Sequence, residues 1–452
     1  MPIRLGDIAI PDFGLPVEVP QIPPATYEQR CSAAYQAAGA DWFVIYADRE
    51  HFANIMFLTG FDPRFEEALL VLGPRQSRII IVGNECLDYA RLARLPGVEI
   101  LLAQSFALMG QDRSQAPSLA HVLREVGMKT GDSVALAGWK YLEPAEWNGS
   151  FPAFFVPSFI VDVLREIAGK RVSDATPVLM HPITGLRSVV DTDQIAVSEW
   201  AGARASAALW RILSGVKEGD TEYGAVARMQ HEGEPLSAHL MLASGDASSS
   251  IIGLRSPGTR VMKRGDGIVG AIGLWGGLSA RGGLLSDRGD DFLKIASAYF
   301  EGLLAWYEAA DIGICGGDIF SAVTEVLARG GLRSALNPGH LTSYDEWVHS
   351  PIQPGYAGKI SAGMAFQVDI IPVPMRMGHA LNCEDPVVFA DQALRRDLEA
   401  RHPAVAQRIA ERRIFVRDAI GIDLKESILP MSSTPLCLPP FWLKPNRLLT
   451  RN

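Results

Sequence analysis

The chain has 452 residues, 48% of them hydrophobic and 21% charged, which is long for one core and favours two domains of ordinary globular composition. A net charge of −9 with no basic stripe argues against nucleic acid as a partner, and no run of about 18 uncharged apolar residues is present to span a membrane. The N-terminus lacks the continuous apolar stretch of a secretory signal, and the scattered cysteines (Cys31, Cys86, Cys315, Cys383, Cys437) form no CxxC pair, so the expectation is a cytoplasmic protein with reduced thiols.

Residues 1–25 carry Pro11, Pro16, Pro20, Pro23 and Pro24, which deny them a helix. They are predicted to form an extended arm that either wraps a neighbouring subunit or lies on its own domain. From 26 to 186, helix-like runs (27–38, 86–95, 118–126, 159–167) interleave with short strands rich in Val, Ile or Leu (42–46, 68–72, 78–82, 98–103, 133–137). That alternation predicts an α/β domain. A second regime begins at 187. It opens on a long Ala- and Leu-rich helix over 194–216 and a helix over 221–230 capped by Asp220 or Thr221. Strands follow at 239–243, 267–274 and 278–285, then helices over 291–310 and 317–328, strands at 365–373 and 382–390, and helices over 391–419. This reads as an α+β domain over 187–425, followed by a Pro-rich tail over 426–452. No internal repeat is visible.

Four segments, in order, resemble the creatinase/aminopeptidase P/prolidase family over about residues 30–420. The stretch 47–61 (ADREHFANIMFLTGF) is similar to the N-terminal-domain turn of that family, and 185–195 (GLRSVVDTDQI) to the entry into its catalytic domain. Gly339-His340 followed by His349-Ser350-Pro351 resembles its G-H-x-x-G…H-E-x-P motif. The stretch 363–369 (GMAFQVD) and Cys383-Glu384-Asp385 resemble its two glutamate motifs. The resemblance implies a creatinase-type, ribonuclease-H-like α/β domain followed by an α+β pita-bread domain. It also implies a homodimer in which one subunit's N-terminal domain approaches its partner's site.

Metallopeptidases of this family hold two divalent ions with Asp, Asp, His, Glu and Glu. The two aspartates come from a hairpin that corresponds here to 265–281 (GDGIVGAIGLWGGLSAR). The first position falls on Ala271 and the second on Ala280, or on Ser279 if the register slips by one. The other three fall on His340, Asp369 and Glu384. Two dications a few ångströms apart need several anionic oxygens around them, so a dinuclear centre is not expected. No cofactor is expected beyond at most one divalent ion at His340, Asp369 and Glu384. Asp287, Asp290 and Asp291 are read as the start of the next helix, with Asp287 the one a different loop path would swing inward. Creatinase itself works without metal through a histidine, but the corresponding stretch 253–257 has Arg255 and Ser256 and no His.

His340 is read as the proton-transfer group, with Asp369 and Glu384 as catalytic carboxylates; the plain alternatives are a structural His and buried ion pairs with Arg376, His379 or Arg281. Asp345, Glu346 and His349 are candidate substrate-binding groups, or else the capped start of a surface helix. Arg281 is a candidate stand-in for the lost metal charge, paired to Asp369 or Glu384. Arg64 is a candidate carboxylate binder reaching across a dimer. Three functions remain: a small-molecule C–N hydrolase or lyase without a dinuclear centre, a non-catalytic homodimer that binds a small polar ligand, and an Xaa-Pro aminopeptidase or dipeptidase with an atypical metal site. The expected partner is a small polar molecule or peptide, not a membrane or nucleic acid.

Overall fold

A computed structural model of the chain describes residues 2–114, 116–346 and 348–452, and the elements counted below belong to these residues. The chain divides into two compact units. One is Ile22–Ser188; the other joins Met1–Gln21 to Val189–Asn452.

The Ile22–Ser188 unit is built on a six-stranded mixed sheet. Its strand order is Glu99–Leu102, Ser77–Val82, Ala68–Gly73, Trp42–Ala47, Val134–Ala137 and Val172–Asp174. Trp42–Ala47 and Ala68–Gly73 are buried at every residue, as expected of β-branched and aliphatic runs covered on both faces. The helices Pro24–Ala38, Leu119–Glu125 and Ser158–Ala168 lie at three of the four predicted places. The fourth, 86–95, holds only the short turn Tyr89–Leu92. The amides of Arg94 and Leu95 both turn to the Thr59 carbonyl, at 2.7 and 3.2 Å, so the chain leaves the helical path to satisfy a carbonyl elsewhere.

In the second unit, the N-terminal arm meets the C-terminus. Arg4–Asp7 pairs antiparallel with Arg447–Thr450, and the Val17 carbonyl accepts a hydrogen bond from the Trp200 indole at 3.2 Å. The segment 426–452, predicted as a Pro-rich tail, is built into the same unit. Ile428–Pro430 joins a sheet, and Met431, Cys437, Leu438, Phe441 and Trp442 are buried in its core. The prolines that deny this segment a helix leave it free to run extended along the core surface.

Two four-stranded antiparallel sheets organise this unit. In the first, Met241–Gly245 pairs with the hairpin Gly267–Leu274 and Gly277–Leu284, whose second strand pairs with Asn382–Glu384. In the second, His340–Leu341, Ala365–Gln367, Pro386–Phe389 and Ile428–Pro430 lie side by side. The run 382–389 therefore serves both sheets, with Asp385 between the two pairings. The helix Thr192–Gly215, capped by the Asp191 carboxylate on the Gln194 amide, is buried on nearly every side. It approaches the hairpin so closely that a Cβ on Gly277 would lie 2.3 Å from the Gly202 nitrogen.

The helix predicted over 221–230 is shorter than expected, Glu222–Val226 with Thr221 as its cap, followed by a 3-10 turn over Ala227–Met229. Asp290 and Asp291 sit in the first turn of the helix Asp290–Ala309, where they complement its positive end. Asp287 turns outward and pairs with Arg264 at 2.9 Å.

Candidate active site

In the antiparallel pairing, Ala280 stands directly opposite Ala271. Met241 flanks Ala271 on one side, and Glu384 flanks Ala280 on the other. One row across the sheet thus reads Met241, Ala271, Ala280, Glu384. Met241, Ala271, Leu278 and Ala280 form a small apolar cluster of buried residues. Both positions expected to carry aspartates are therefore closed over by methyl groups. Side chains alternate between faces along a strand, so Ser279 and Arg281 belong to the opposite face. The Ser279 hydroxyl indeed lies 3.3 Å from Asp385, and the slipped register is set aside.

The same alternation corrects the expectation for Arg281. It does not meet Asp369 or Glu384. Its guanidinium reaches both carboxylate oxygens of Asp385 at 2.9 Å, and it donates to the carbonyls of Ala280, Glu384, Thr434 and Cys437. Arg281 is 1% exposed, so this is a fully buried ion pair that clamps the junction between the two sheets. The alternative partners also lie elsewhere: Arg376 is 3.9 Å from Asp291, and His379 packs edge-on against Phe292. Arg64 pairs with Asp62 at 2.9 Å within its own unit.

On the site face, His340 Nε2 lies 3.9 Å from Glu384 Oε1. The third member is Glu346: one ligand atom from each of His340, Glu346 and Glu384 falls within 4.8 Å of the other two. Glu346 is 6% exposed, and among the described residues neither of its carboxylate oxygens has a partner at hydrogen-bond geometry; the Gln367 amide, which donates to the Gly276 carbonyl, is near enough to favour its charged form. Asp369, 8% exposed, leaves Oδ1 without a partner, and Gln367 leaves Oε1 likewise. Gln367 stands opposite His340 in the strand pairing. This buried cluster thus holds several acceptors lacking donors.

Glu346 reaches this place through an irregular loop and not through a helix. The Leu341 amide donates to the His349 carbonyl at 2.7 Å, closing a ring over 341–349. The Thr342 hydroxyl lies 2.9 Å from the carbonyls of Gly276 and Asp345, and the Gln367 amide donates to Gly276 at 3.2 Å. The hairpin tip that carries no ligand thereby braces the loop that carries Glu346. Its two turn residues, Trp275 and Gly276, both have positive φ (37° and 81°), as a tight two-residue hairpin turn requires. A Cβ on Gly276 would fall 1.7 Å from the Ser343 carbonyl oxygen, so only glycine fits there. Asp345 and His349 belong to this loop, but they are not among the three converging groups. Trp347 lies outside the described residues.

Burial dominates the electrostatics. It pushes Glu346 up to about 8, helped by Asp345 and Asp369 and opposed by the Gln367 amide. It raises Asp369 to about 7, and it lifts Glu384 well above the usual carboxylate range, with Asp369 and Glu346 adding to the effect. Desolvation also pulls His340 below its ordinary value, leaving a neutral imidazole. Without a bound cation the folded protein holds protons that the unfolded chain releases. Stability is then greatest below the ordinary carboxylate values and falls as pH rises toward 8. Chelator-treated protein is expected to lose a few kcal/mol of unfolding free energy between about pH 5 and pH 8.5, and Glu346→Gln is expected to flatten part of that slope. Denaturant titrations across this range check it; a stability that rises with pH contradicts the assignment.

Solved structures align over most of the chain. A dipeptidase from Mycobacterium ulcerans matches with a TM-score of 0.59 at 21% identity, covering 82% of this chain and 95% of that one. A prolidase from Thermococcus sibiricus matches at 0.63 and 15% identity, covering 81% and 95%. An X-Pro aminopeptidase from Thermotoga maritima MSB8 matches at 0.61 and 18%, covering 81% and 95%. The chain has the two-domain pita-bread fold. No family model and no curated protein matches it at the level of sequence. No helix among the described residues is long and apolar enough to cross a membrane.

Prolidases of the pita-bread fold imply a dinuclear metal centre, and the donor set here does not fit one. The side chains of Ala271 and Ala280 offer no oxygen and belong to an apolar cluster. The donors that do converge, one imidazole and two carboxylates, are enough for a single ion. In the stretch 253–257, Arg255 pairs with the buried Glu222, which further accepts the Ser244 and Gly258 amides.

Of the three residues expected from the sequence to share a site, His340 and Glu384 lie together, and Asp369 stands outside the group of three. Sequence reasoning placed Glu346 among the substrate-binding groups without linking it to His340 and Glu384. The only available signal was an acidic residue six positions after His340, in a stretch with no periodicity.

Proposed function

We propose that the chain hydrolyses a C–N bond in a small polar molecule or peptide without a dinuclear metal centre. The observation that carries this reading is the contrast between two faces of one pocket. The hairpin face is apolar at Ala271 and Ala280, while His340, Glu346 and Glu384 converge beside it, close enough to Asp369 to feel its charge, with buried acceptors left unpaired. An apolar wall and an acceptor-rich floor suit a ligand that brings its own positive charge or N–H donors. C–N hydrolysis needs an activated water and a proton for the departing nitrogen. His340 serves the first need, as a neutral base in the ion-free protein or as one ligand of an ion that activates the water, and the protonated carboxyl of Asp369 supplies the second.

A homodimer of the kind expected from the sequence would leave this chemistry within each pocket. The non-catalytic alternative draws its support from Arg255, which is locked to Glu222 in the stretch where the resemblance to creatinase implies a histidine.

The test is turnover by His340→Ala against a panel of small amides, guanidino acids and Xaa-Pro dipeptides. Loss of about 100-fold or more of any activity found is expected. An unchanged rate with a folded variant removes His340 from the chemistry, and an inactive unsubstituted protein across the panel favours the binding role.

A further inference from the structure

We infer that His340, Glu346 and Glu384 form a mononuclear binding site for one divalent first-row metal ion, with Glu346 of the 341–349 loop standing in for the oxygens that the hairpin lost. The inference rests on the pocket of the proposed function and specifies what occupies it.

Three observations carry it. The first is distance. Around an ion with bonds of about 2.1 Å, tetrahedral donors stand roughly 3.4 Å apart. The three donor atoms already lie within 4.8 Å of one another, and His340 and Glu384 within 3.9 Å. Closing the remaining gap takes about an ångström of side-chain movement, which a shared cation favours by drawing both carboxylates and the imidazole to itself.

The second is the state of Glu346. Burying a carboxylate with both oxygens unpaired is costly, and buried polar groups are almost always satisfied. Arg281, the fully buried guanidinium of the hairpin, is not available to Glu346, because it is committed to Asp385 on the opposite face of the sheet. The third is charge. Two ionised carboxylates match one dication, whereas a second ion would leave the pocket short of anionic oxygen, since Ala271 and Ala280 supply none.

One imidazole and two carboxylates suit an ion of the manganese-to-zinc range, and three protein donors leave positions open for water and substrate. Such an ion, when bound, lowers the pKa of water and polarises a carbonyl. Asp369 then remains outside the ligand set.

The experiment uses full-length protein stripped with chelator and titrated calorimetrically with Mn2+ and with Zn2+ alone. One ion per chain is expected for the unsubstituted protein. Glu346→Gln is expected to weaken binding by at least about 30-fold, and Asp369→Asn by no more than a few-fold. Thermal unfolding is expected to shift upward with Mn2+ in the unsubstituted protein and not in Glu346→Gln. Two ions per chain, no binding at millimolar ion, or unaltered affinity in Glu346→Gln each overturns the inference. Should Glu346→Gln not fold, diffraction from Mn2+-soaked crystals of the unsubstituted protein decides: a single anomalous peak bounded by His340, Glu346 and Glu384 supports the site, and a peak elsewhere sinks it. Failure of this site is distinguishable from failure of the proposed function. Turnover by a protein that binds no ion overturns the metal site alone, and a bound ion without turnover across the panel overturns the hydrolase reading alone.

Discussion

Arg281→Met is expected to lower the unfolding free energy of the C-terminal unit by about 3–5 kcal/mol. The guanidinium is buried beside an equally buried Asp385, which it meets at both carboxylate oxygens. Removing the arginine leaves Asp385 charged, desolvated and supported only by the Leu436 amide at 3.0 Å and the weaker Ser279 hydroxyl. It also strands the Cys437 carbonyl and leaves the Thr434 carbonyl only the Cys437 amide at 3.1 Å, so the C-terminal segment loses its anchor to the run 382–389. Because that run carries Glu384 and feeds both sheets, the substitution is expected to loosen the pocket without touching it. Urea unfolding and amide exchange over 382–389 check this, and a loss below about 1 kcal/mol shows that the pair is not what holds the junction. Pairing the change with Asp385→Leu is expected to recover much of the loss, since a buried apolar pair avoids the unpaired charge.

The second large effect is expected from restoring the hairpin carboxylates. The double variant Ala271→Asp with Ala280→Asp places two new acids side by side, next to Glu384 and against Met241. In chelator, their mutual repulsion and burial are expected to cost about 3–5 kcal/mol of stability. Mn2+ is expected to return that stability and to bind at two ions per chain, against at most one for the unsubstituted protein. Calorimetric unfolding with and without Mn2+, together with elemental analysis, measures both. A double variant that still binds no more than one ion would show that the alanines do not occupy the places where a second ion would sit.

Several features were legible because they depend on local pattern. The buried strands at 42–47 and 68–73 announce themselves as unbroken aliphatic and aromatic runs, and the helix 192–215 by its Ala- and Leu-rich faces. The region 86–95 misled, since its helical pattern yields to a long-range demand from the Thr59 carbonyl. Arg281 misled for a different reason. Its proximity in sequence to Ala280 suggested a shared site, yet neighbours on a strand face opposite ways, and the parity that sets Ala280 with Glu384 sets Arg281 with Asp385.

What the amino-acid sequence determined by itself is chemical inventory and local geometry: alanine where two carboxylates would be needed, His340, Asp369 and Glu384 in motif order, and strands whose alternation settles which side chains share a face. Tertiary structure alone decided two things. One is the pairing of residues 4–7 with 447–450, which brings together the ends of the chain. The other is the arrival of Glu346 beside His340 and Glu384, in a loop held by the Leu341–His349 bond and by a hairpin tip some 70 residues earlier in the chain. Neither leaves a periodic trace, because an aperiodic segment takes its path from the distant groups that satisfy its hydrogen bonds and not from any preference of its own residues.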